Sequence, residues 1–293
     1  MFNNILGNEN NKKILENNIK TGNISHSYMF IGKSGIGKFM LAKEFAKAIL
    51  CLGEDKPCNI CEACISYNGE NNPDITIIDE EEKSIKTETI KEMVKGVYEK
   101  PIKSLKKVYI INDSQKMTKE AQNSLLKTLE EPPEYVVIIL ITENENLLLN
   151  TIKSRCTKIK FNSLSNEQVK SILNDNNLSD TVLELAEGSA SKAIAVQGRE
   201  ELFNVIKQIF SNIEKTNIID LLNKKELIFK DKDYIYEILN FINIVLYNKT
   251  KENMDYIDCI KYVEETKDRL KKNGNFDMTI DNLLLKIWEA VNG

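Results

Sequence analysis

A glycine-rich segment that ends in lysine is the first place where residue types and spacing point to chemistry. Gly32, Gly35, Gly37 and Lys38 lie in the run GKSGIGK, which fits the pattern G-x-x-x-x-G-K of a phosphate-binding loop. An apolar run precedes it and a helical spacing follows it, which is the context that such a loop requires. Backbone N–H groups would surround phosphate oxygens, and Lys38 would bind the β- and γ-phosphates. We therefore expect a nucleotide site rather than a simple glycine-rich turn.

Two positions that handle magnesium in such sites carry unsuitable residues. Phe39 follows Lys38, where a Ser or Thr hydroxyl would bind Mg²⁺, and a phenyl ring offers no oxygen to a hard cation. Asn112 ends the predicted strand KVYIIN, where an acidic residue would hold Mg²⁺, and Asp113 follows it. Because both departures act in the same direction, the sequence favours a site that has lost ATP hydrolysis. Weak binding of ATP or ADP through the backbone and Lys38 stays compatible with these residues.

Four of the six cysteines lie between positions 51 and 64: Cys51, Cys58, Cys61 and Cys64. Four thiolates in a short segment can fill the tetrahedron around Zn²⁺, and a site without an open position is structural. Disulfides and an iron–sulfur cluster are the alternatives. The C-x2-C-x2-C spacing and the expected reducing compartment favour zinc.

Arg155 lies in the triplet Ser154-Arg155-Cys156, close to the end of the strand–helix pattern. An arginine there could form a surface ion pair. It could also be an arginine finger that reaches a nucleotide held by a neighbouring subunit. Spacing alone leaves both interpretations open. His26 is the only histidine, so the chain offers no Ser-His-Asp arrangement.

Strands alternate with helices in the first half of the chain, which predicts a mostly parallel sheet flanked by helices. The predicted strands are 28–31, 74–78, 107–112, 136–141 and 157–161, and the predicted helices between them are 39–50, 87–98 and 118–130. Beyond residue 161 the spacing of apolar residues is helical, and residues 200–291 contain little Gly or Pro. We expect a small helical domain followed by a second one.

Composition and charge narrow the function classes. The 293 residues are 42% hydrophobic and 29% charged, which excludes fibrous and wholly disordered classes. The net charge of −4 means that any contact with DNA must come from a local patch or from partner subunits. No apolar run is long enough to span a membrane, and the N-terminal residues lack a signal-peptide pattern. The expected location is the cytoplasm.

The combination of motifs resembles the clamp-loader branch of the AAA+ ATPases, with its non-hydrolysing subunits as the nearest match. The resemblance extends in family order over residues 1–161, and it is most specific in the run 121–134 with the SRC triplet downstream. The resembling segments are His26–Gly32 (HSYMFIG), the loop through Lys38, the cysteine module, Ser84–Lys86 (SIK), Val108–Asp113 (VYIIND), Ala121–Glu134 (AQNSLLKTLEEPPE), Leu140–Asn144 (LITEN) and Ser154–Cys156 (SRC).

The resemblance implies three domains. These are an α/β AAA+ P-loop domain over 1–162 with the zinc module at 51–64, a small helical lid over 163–200, and an all-α collar for oligomerisation over 201–293. It also implies roles for single residues. Asp113 and Thr142 would belong with Lys38 to the degenerate nucleotide site, Thr142 at the sensor 1 position, and Arg155 would be the finger that acts in trans.

The implied function is DNA replication, as a clamp-loader subunit of bacterial DNA polymerase III with little or no ATPase activity of its own. The implied partners are gamma/tau and delta subunits, the sliding clamp and, in the assembled complex, primed DNA. Two alternatives remain. One is an active ATPase of the gamma/tau type that relies on Asp113, and the other is an unrelated P-loop kinase, which the magnesium positions and the SRC triplet disfavour.

Overall fold

The computed structural model describes residues 1–80, 84–175, 178–251 and 253–292. The chain divides into two compact units. The first comprises Met1–Gln168 with Gly188–Ala190, and the second comprises Val169–Glu187 with Ser191–Gly293. The predicted division of the helical part into a lid and a collar stays a prediction.

Five short strands form one parallel sheet in unit one. Four of the five strands are rich in Ile, Val, Tyr or Phe, and the residues of the three central strands are almost wholly buried, as expected for a sheet covered on both faces. The strand order β2-β3-β4-β1-β5 brings β1 between β4 and β5. The strands are β1 (Ser27–Ile31), β2 (Ile75–Ile78), β3 (Lys107–Ile111), β4 (Val136–Thr142) and β5 (Thr157–Lys160).

Helices cover both faces of this sheet. Alternate residues of β1 enter different cores, with Phe30 in a cluster that includes Phe45 of α2 and Met29 in one that includes Leu125 of α5. The helices of this part are α1 (Glu9–Thr21), α2 (Lys38–Leu50), α3 (Glu62–Asn68), α4 (Thr87–Val97), α5 (Lys119–Glu130) and α6 (Asn150–Lys153). The predicted parallel sheet flanked by helices is therefore confirmed.

Unit two is helical, and its helices pack through aromatic and aliphatic side chains. Helix α13 packs against α10 and α14, and α14 packs against α15. Phe203 and Phe241 meet edge to face, with 5.3 Å between ring centroids. The remaining helices are α7 (Asn166–Leu173), α8 (Asp180–Ala186), α9 (Ala190–Val196), α10 (Glu200–Ser211), α11 (Ile218–Asn223), α12 (Lys225–Ile228), α13 (Ile235–Thr250), α14 (Tyr256–Lys271) and α15 (Phe276–Asn292). Among the described residues, no helix has the length and apolar character needed to cross a bilayer.

Candidate functional site

The glycine-rich loop connects β1 to α2 at the carboxyl edge of the sheet. Gly35 and Gly37 have φ angles of 69° and 90°, a region that favours glycine. A Cβ atom at Gly32 would lie 2.8 Å from Ile36 Cδ1 and 2.9 Å from the carbonyl oxygen of Phe161. The glycine spacing therefore follows from the shape of the loop.

Lys38 begins α2 and is almost fully buried, with 6% of its surface exposed. Its ammonium group donates to the carbonyl oxygens of Gly32 at 2.7 Å and Lys33 at 2.5 Å. Burial lowers the pKa of Lys38, while the negative charges of Glu143 and Asp113 oppose that shift. The loop thus fixes one cation beside the glycine turn, which is the arrangement that phosphate oxygens require.

Phe39 occupies the position next to Lys38 and contributes no oxygen atom. Its ring is partly buried against the core cluster around Phe45, and the Lys43 ammonium lies 5.6 Å from the ring centroid. This packing gives the phenyl ring a hydrophobic role in α2.

Asn112 and Asp113, at the second position where the sequence predicts a magnesium ligand, form other contacts. Asn112 follows β3, and its Nδ2 donates to Oδ1 of Asp79 at 2.8 Å. In Asp113, Oδ2 pairs with Lys116 Nζ at 3.0 Å and Oδ1 accepts from Gln115 Nε2 at 3.2 Å. The carboxylate that could replace the missing acid therefore already has both oxygens in contact with its own loop.

Thr142 ends β4 beside the glycine loop. It is fully buried, its Oγ1 accepts the N–H of Asn144 at 3.1 Å, and its carbonyl oxygen accepts the N–H of Gly32 at 3.1 Å. Ala190 reaches the loop from a distant part of the sequence, since its N–H donates to the carbonyl oxygen of Gly35 at 2.9 Å. The predicted residues of the glycine loop, Asp113 and Thr142 thus meet at one edge of the sheet.

The four cysteines of the module lie together, with all four Sγ atoms within 4.8 Å of one another. Sulfur atoms accept backbone N–H groups along the segment, for example from Cys58 to Cys51 Sγ at 3.3 Å and from Cys64 to Cys61 Sγ at 3.4 Å. The second of these bonds also caps α3. Four sulfur donors at this separation are suited to one tetrahedral metal ion.

The thiols of the module differ in acidity. Burial raises the pKa of Cys64 to about 12 and also raises that of Cys51. At Cys61 burial acts to raise the pKa, but hydrogen bonds from the N–H groups of Leu52 and Cys64 outweigh it and lower the pKa to about 6. The N–H groups of Ile60 and Cys61 lower the pKa of Cys58. All six cysteines of the chain are free.

Arg155 lies between α6 and β5, with 32% of its side chain exposed. Its Nη2 lies 2.8 Å from Oε1 of Glu130, and its Nη1 donates to the carbonyl oxygen of Thr151 at 2.8 Å. The surface ion pair that the sequence left open is therefore present, and the guanidinium group still faces solvent in part.

The sequence interpretation missed a structured loop between α4 and β3. Asp74 is fully buried, and its carboxylate accepts the backbone N–H groups of Ile102, Lys103 and Ser104 at 2.6–2.7 Å. The loop presents Ile102 and Leu105 with 75% and 76% of their surfaces exposed. Two apolar residues beside Pro101 in a lysine-rich segment were the available signal.

A family model described as "DNA polymerase III, delta subunit" matches residues 7–165, more than half of the chain. The delta' subunit of Bacillus subtilis DNA polymerase III is 38% identical over 168 residues, which are 57% of this chain and 51% of that protein. The gamma/tau subunit of Mycoplasma genitalium is 33% identical over 262 residues, which are 88% of this chain and 43% of that protein. The chain thus spans about half the length of these relatives, or less.

A crystal structure of a gamma-subunit-related protein of DNA polymerase III from Thermotoga maritima shares the fold. The TM-score is 0.51 at 20% identity, and the superposition covers 95% of this chain and 99% of that one. Because the family match includes every strand of the sheet and the glycine loop that the sheet carries, the chain belongs to the DNA polymerase III delta-subunit family and is a member of the clamp-loader family.

Proposed function

We propose that the chain is the delta-prime type of clamp-loader subunit. It does not hydrolyse ATP, and it assists a neighbouring gamma/tau ATPase while the sliding clamp is loaded onto primed DNA. The observation that carries this proposal is the pairing of an intact phosphate loop around Lys38 with Phe39 and Asn112 at both magnesium positions. Phosphoryl transfer needs a metal ion on the β- and γ-phosphate oxygens, and neither side chain supplies an anionic or hydroxyl ligand.

Arg155 supplies the assistance in this proposal. Its guanidinium group is permanently charged, partly exposed, and shaped to bind phosphate oxygens through two N–H groups. The group would stabilise the charge that develops on the nucleotide of the adjacent gamma/tau subunit. Lys38, Asp113 and Thr142 would form a degenerate site that binds ATP or ADP weakly.

Zn²⁺ is the metal that we propose for the cysteine module. Cys51, Cys58, Cys61 and Cys64 offer four sulfur donors within 4.8 Å of one another, a soft and closed set that suits zinc. The ion would cross-link the segment after α2 to α3 and would supply no catalytic chemistry, since no coordination position is left for water.

The N-termini of α4 and α5 lie side by side, and we assign the contact with primed DNA to this surface. The backbone bridge between Ile85 and Met117 joins the segments that precede these helices. Helix N-termini attract phosphate groups, and the exposed Lys86 and Lys119 lie there beside Glu88 and Glu120 of the first helical turns. This local patch would bind the DNA backbone despite the net charge of −4.

Contacts with partner proteins fit the exposed surfaces outside the nucleotide site. The loop held by Asp74 offers Ile102 and Leu105 to a partner protein, either the sliding clamp or another subunit. The helices of residues 201–293 would form the collar that assembles with gamma/tau and delta subunits, and residues 163–200 would form the lid.

Reconstitution tests the proposed function. We expect the isolated chain to show no Mg²⁺-dependent ATPase activity, and the complex with gamma/tau and delta subunits of the same organism to load clamps. Arg155→Ala should lower the ATPase activity of that complex and leave its assembly intact, as judged by gel filtration. Brisk Mg²⁺-dependent turnover by the isolated chain would refute the non-hydrolysing role.

An active gamma/tau type of subunit is the alternative. The 33% identity to a gamma/tau subunit over 88% of this chain favours it. It would require Asp113 to leave Lys116 and Gln115 and to bind Mg²⁺. DNA-stimulated ATPase activity of the isolated chain, lost in Asp113→Asn, is the result that would establish this alternative.

A further inference from the structure

We propose that Glu130 is a positioning residue for Arg155. This inference rests on the proposed function, in which Arg155 serves the nucleotide of a neighbouring subunit. Glu130 is the last residue of α5, and its Oε1 lies 2.8 Å from Nη2 of Arg155. The pair is not evident from the sequence, because the two residues are 25 positions apart.

The backbone of Arg155 is fixed from two directions. Its N–H donates to the carbonyl oxygen of Ile152 at 3.1 Å, within the turn that follows α6. Its carbonyl oxygen accepts the hydroxyl of Ser27 at 2.6 Å, and Ser27 is a fully buried residue of β1. The Cα atom of the arginine therefore has a defined place relative to the sheet, and only the side chain retains freedom.

Three groups restrict that side chain. The carbonyl oxygen of Thr151 and the hydroxyl of Ser154 both contact Nη1, at 2.8 and 3.3 Å. Glu130 contacts Nη2, and among the described residues it is the one carboxylate that forms an ion pair with the guanidinium group. Nη1 is thus tied to its own turn, while Glu130 sets the direction of the opposite end of the guanidinium plane.

The strength of the ion pair indicates whether Glu130 orients Arg155 or holds it away from a phosphate. Both side chains are partly exposed, and such an ion pair shifts an equilibrium by about fivefold or less. An arginine finger contributes on the order of 10³- to 10⁵-fold to phosphoryl transfer. Glu130 is therefore too weak to withhold Arg155 from a phosphate, but it is strong enough to favour one orientation before the phosphate arrives.

The chain provides a matched control for Glu130. Glu131 is the next residue, is also exposed, and lies outside the ion pair between Glu130 and Arg155. Glu130→Gln and Glu131→Gln remove the same charge from neighbouring positions, so a general electrostatic effect would appear in both variants.

The ATPase activity of the reconstituted complex tests the functional role. Arg155→Ala measures the share of turnover that depends on this arginine. We expect Glu130→Gln to lower the Arg155-dependent part of the ATPase activity about three- to fivefold and to leave the KM for ATP unchanged. The loss of an exposed ion pair changes an equilibrium by about this factor. Glu130→Asp should restore part of this activity, and Glu131→Gln should have no effect. A drop with Arg155→Ala but none with Glu130→Gln overturns the positioning role alone; no drop with either overturns the proposed function as well.

Side-chain NMR tests the contact itself in the isolated chain. The sequence contains three arginines, Arg155, Arg199 and Arg269, so the Nε–Hε signals are few and can be assigned by substitution to lysine. We expect Glu130→Gln to shift the Arg155 signal and speed its hydrogen exchange, while Glu131→Gln leaves it unchanged. An Arg155 signal that is insensitive to Glu130→Gln would overturn the inference whatever the ATPase result.

Discussion

Under the proposed function, Phe39 separates two properties that usually occur together, phosphate binding and metal-dependent chemistry. The glycine loop and the buried ammonium of Lys38 remain formed around it, because they depend on backbone conformation and on Gly32. The phenyl ring instead packs into the core on one side of α2. One side chain can therefore remove a metal ligand while the loop keeps its shape.

Restoring both magnesium positions should restore metal dependence of nucleotide binding. In the double variant Phe39→Thr with Asn112→Asp, we expect ATP to bind at least about tenfold more tightly with Mg²⁺ than without it, since charge-assisted contacts of about 1.4 kcal/mol are regained. Isothermal titration calorimetry measures this ratio. Phe39→Leu is the control, and a double variant indifferent to Mg²⁺ would contradict our assignment of these positions.

The cysteine module should contain about one zinc ion per chain. We expect Cys61→Ser to abolish zinc content and to lower the free energy of unfolding by at least about 2 kcal/mol, because structural zinc binding is coupled to folding. Elemental analysis and urea unfolding measure the two effects. Cys156→Ser lies outside the module and should retain the metal; zinc-free protein with paired disulfides would contradict the proposal.

The sequence predicts contacts best when they are local. The four cysteines lie within one short segment, so their spacing alone indicated a common site. The pair of Glu130 and Arg155 could not be predicted, because it depends on how α5 and α6 pack at the edge of the sheet. The contacts of Asp74 could not be predicted for the same reason, because its partners lie about thirty residues further along the chain.

At the scale of elements, Asp74 connects the start of β2 to the loop before β3. We expect Asp74→Asn to lower the free energy of unfolding by about 3 kcal/mol, because a buried carboxylate that accepts three N–H groups would be replaced by an amide with one acceptor oxygen. Urea unfolding measures this loss. Asp55→Asn, at an exposed position, should leave stability unchanged, and an equal loss in both variants would contradict the argument.

Element boundaries followed from apolar spacing to within one or two residues. The strand predicted at 107–112 is Lys107–Ile111, and the helix predicted at 118–130 is Lys119–Glu130. Helix α1 was not predicted, since only three of its positions are buried and its remaining residues are mostly polar. Helix α3 was missed because the cysteines that shape it were interpreted only as ligands.

At the scale of the whole molecule, a chain with a net charge of −4 can contact DNA through a local patch or through partner subunits, and the proposed patch concerns the first of these routes. We expect Lys86→Glu with Lys119→Glu to weaken DNA binding by the assembled complex and to reduce the slope of log K against log salt by about 2, because two phosphate contacts are lost. Fluorescence anisotropy at several salt concentrations measures this slope. Lys13→Glu with Lys20→Glu, at exposed positions of α1, is the charge-matched control and should leave the slope unchanged.

The helical half shows the limit of sequence interpretation at this scale. Helical spacing predicted that residues 200–291 are helical, and six helices from α10 to α15 occupy the described part of that range. Which helices pack together depends on side-chain shape, as in the contact of Phe203 with Phe241, and periodicity does not contain that information.

Strand β1 begins at Ser27, whose hydroxyl holds the Arg155 backbone, and it leads directly into Gly32 of the glycine loop. At about 3.3 Å per residue, these two points are separated by roughly 16 Å of extended, hydrogen-bonded backbone. Under the proposed function, β1 therefore fixes the distance between the glycine loop of one subunit and the arginine that the same subunit would present to its neighbour. In an assembly of such subunits, any change in spacing between successive nucleotide sites would then have to come from the interfaces between the chains.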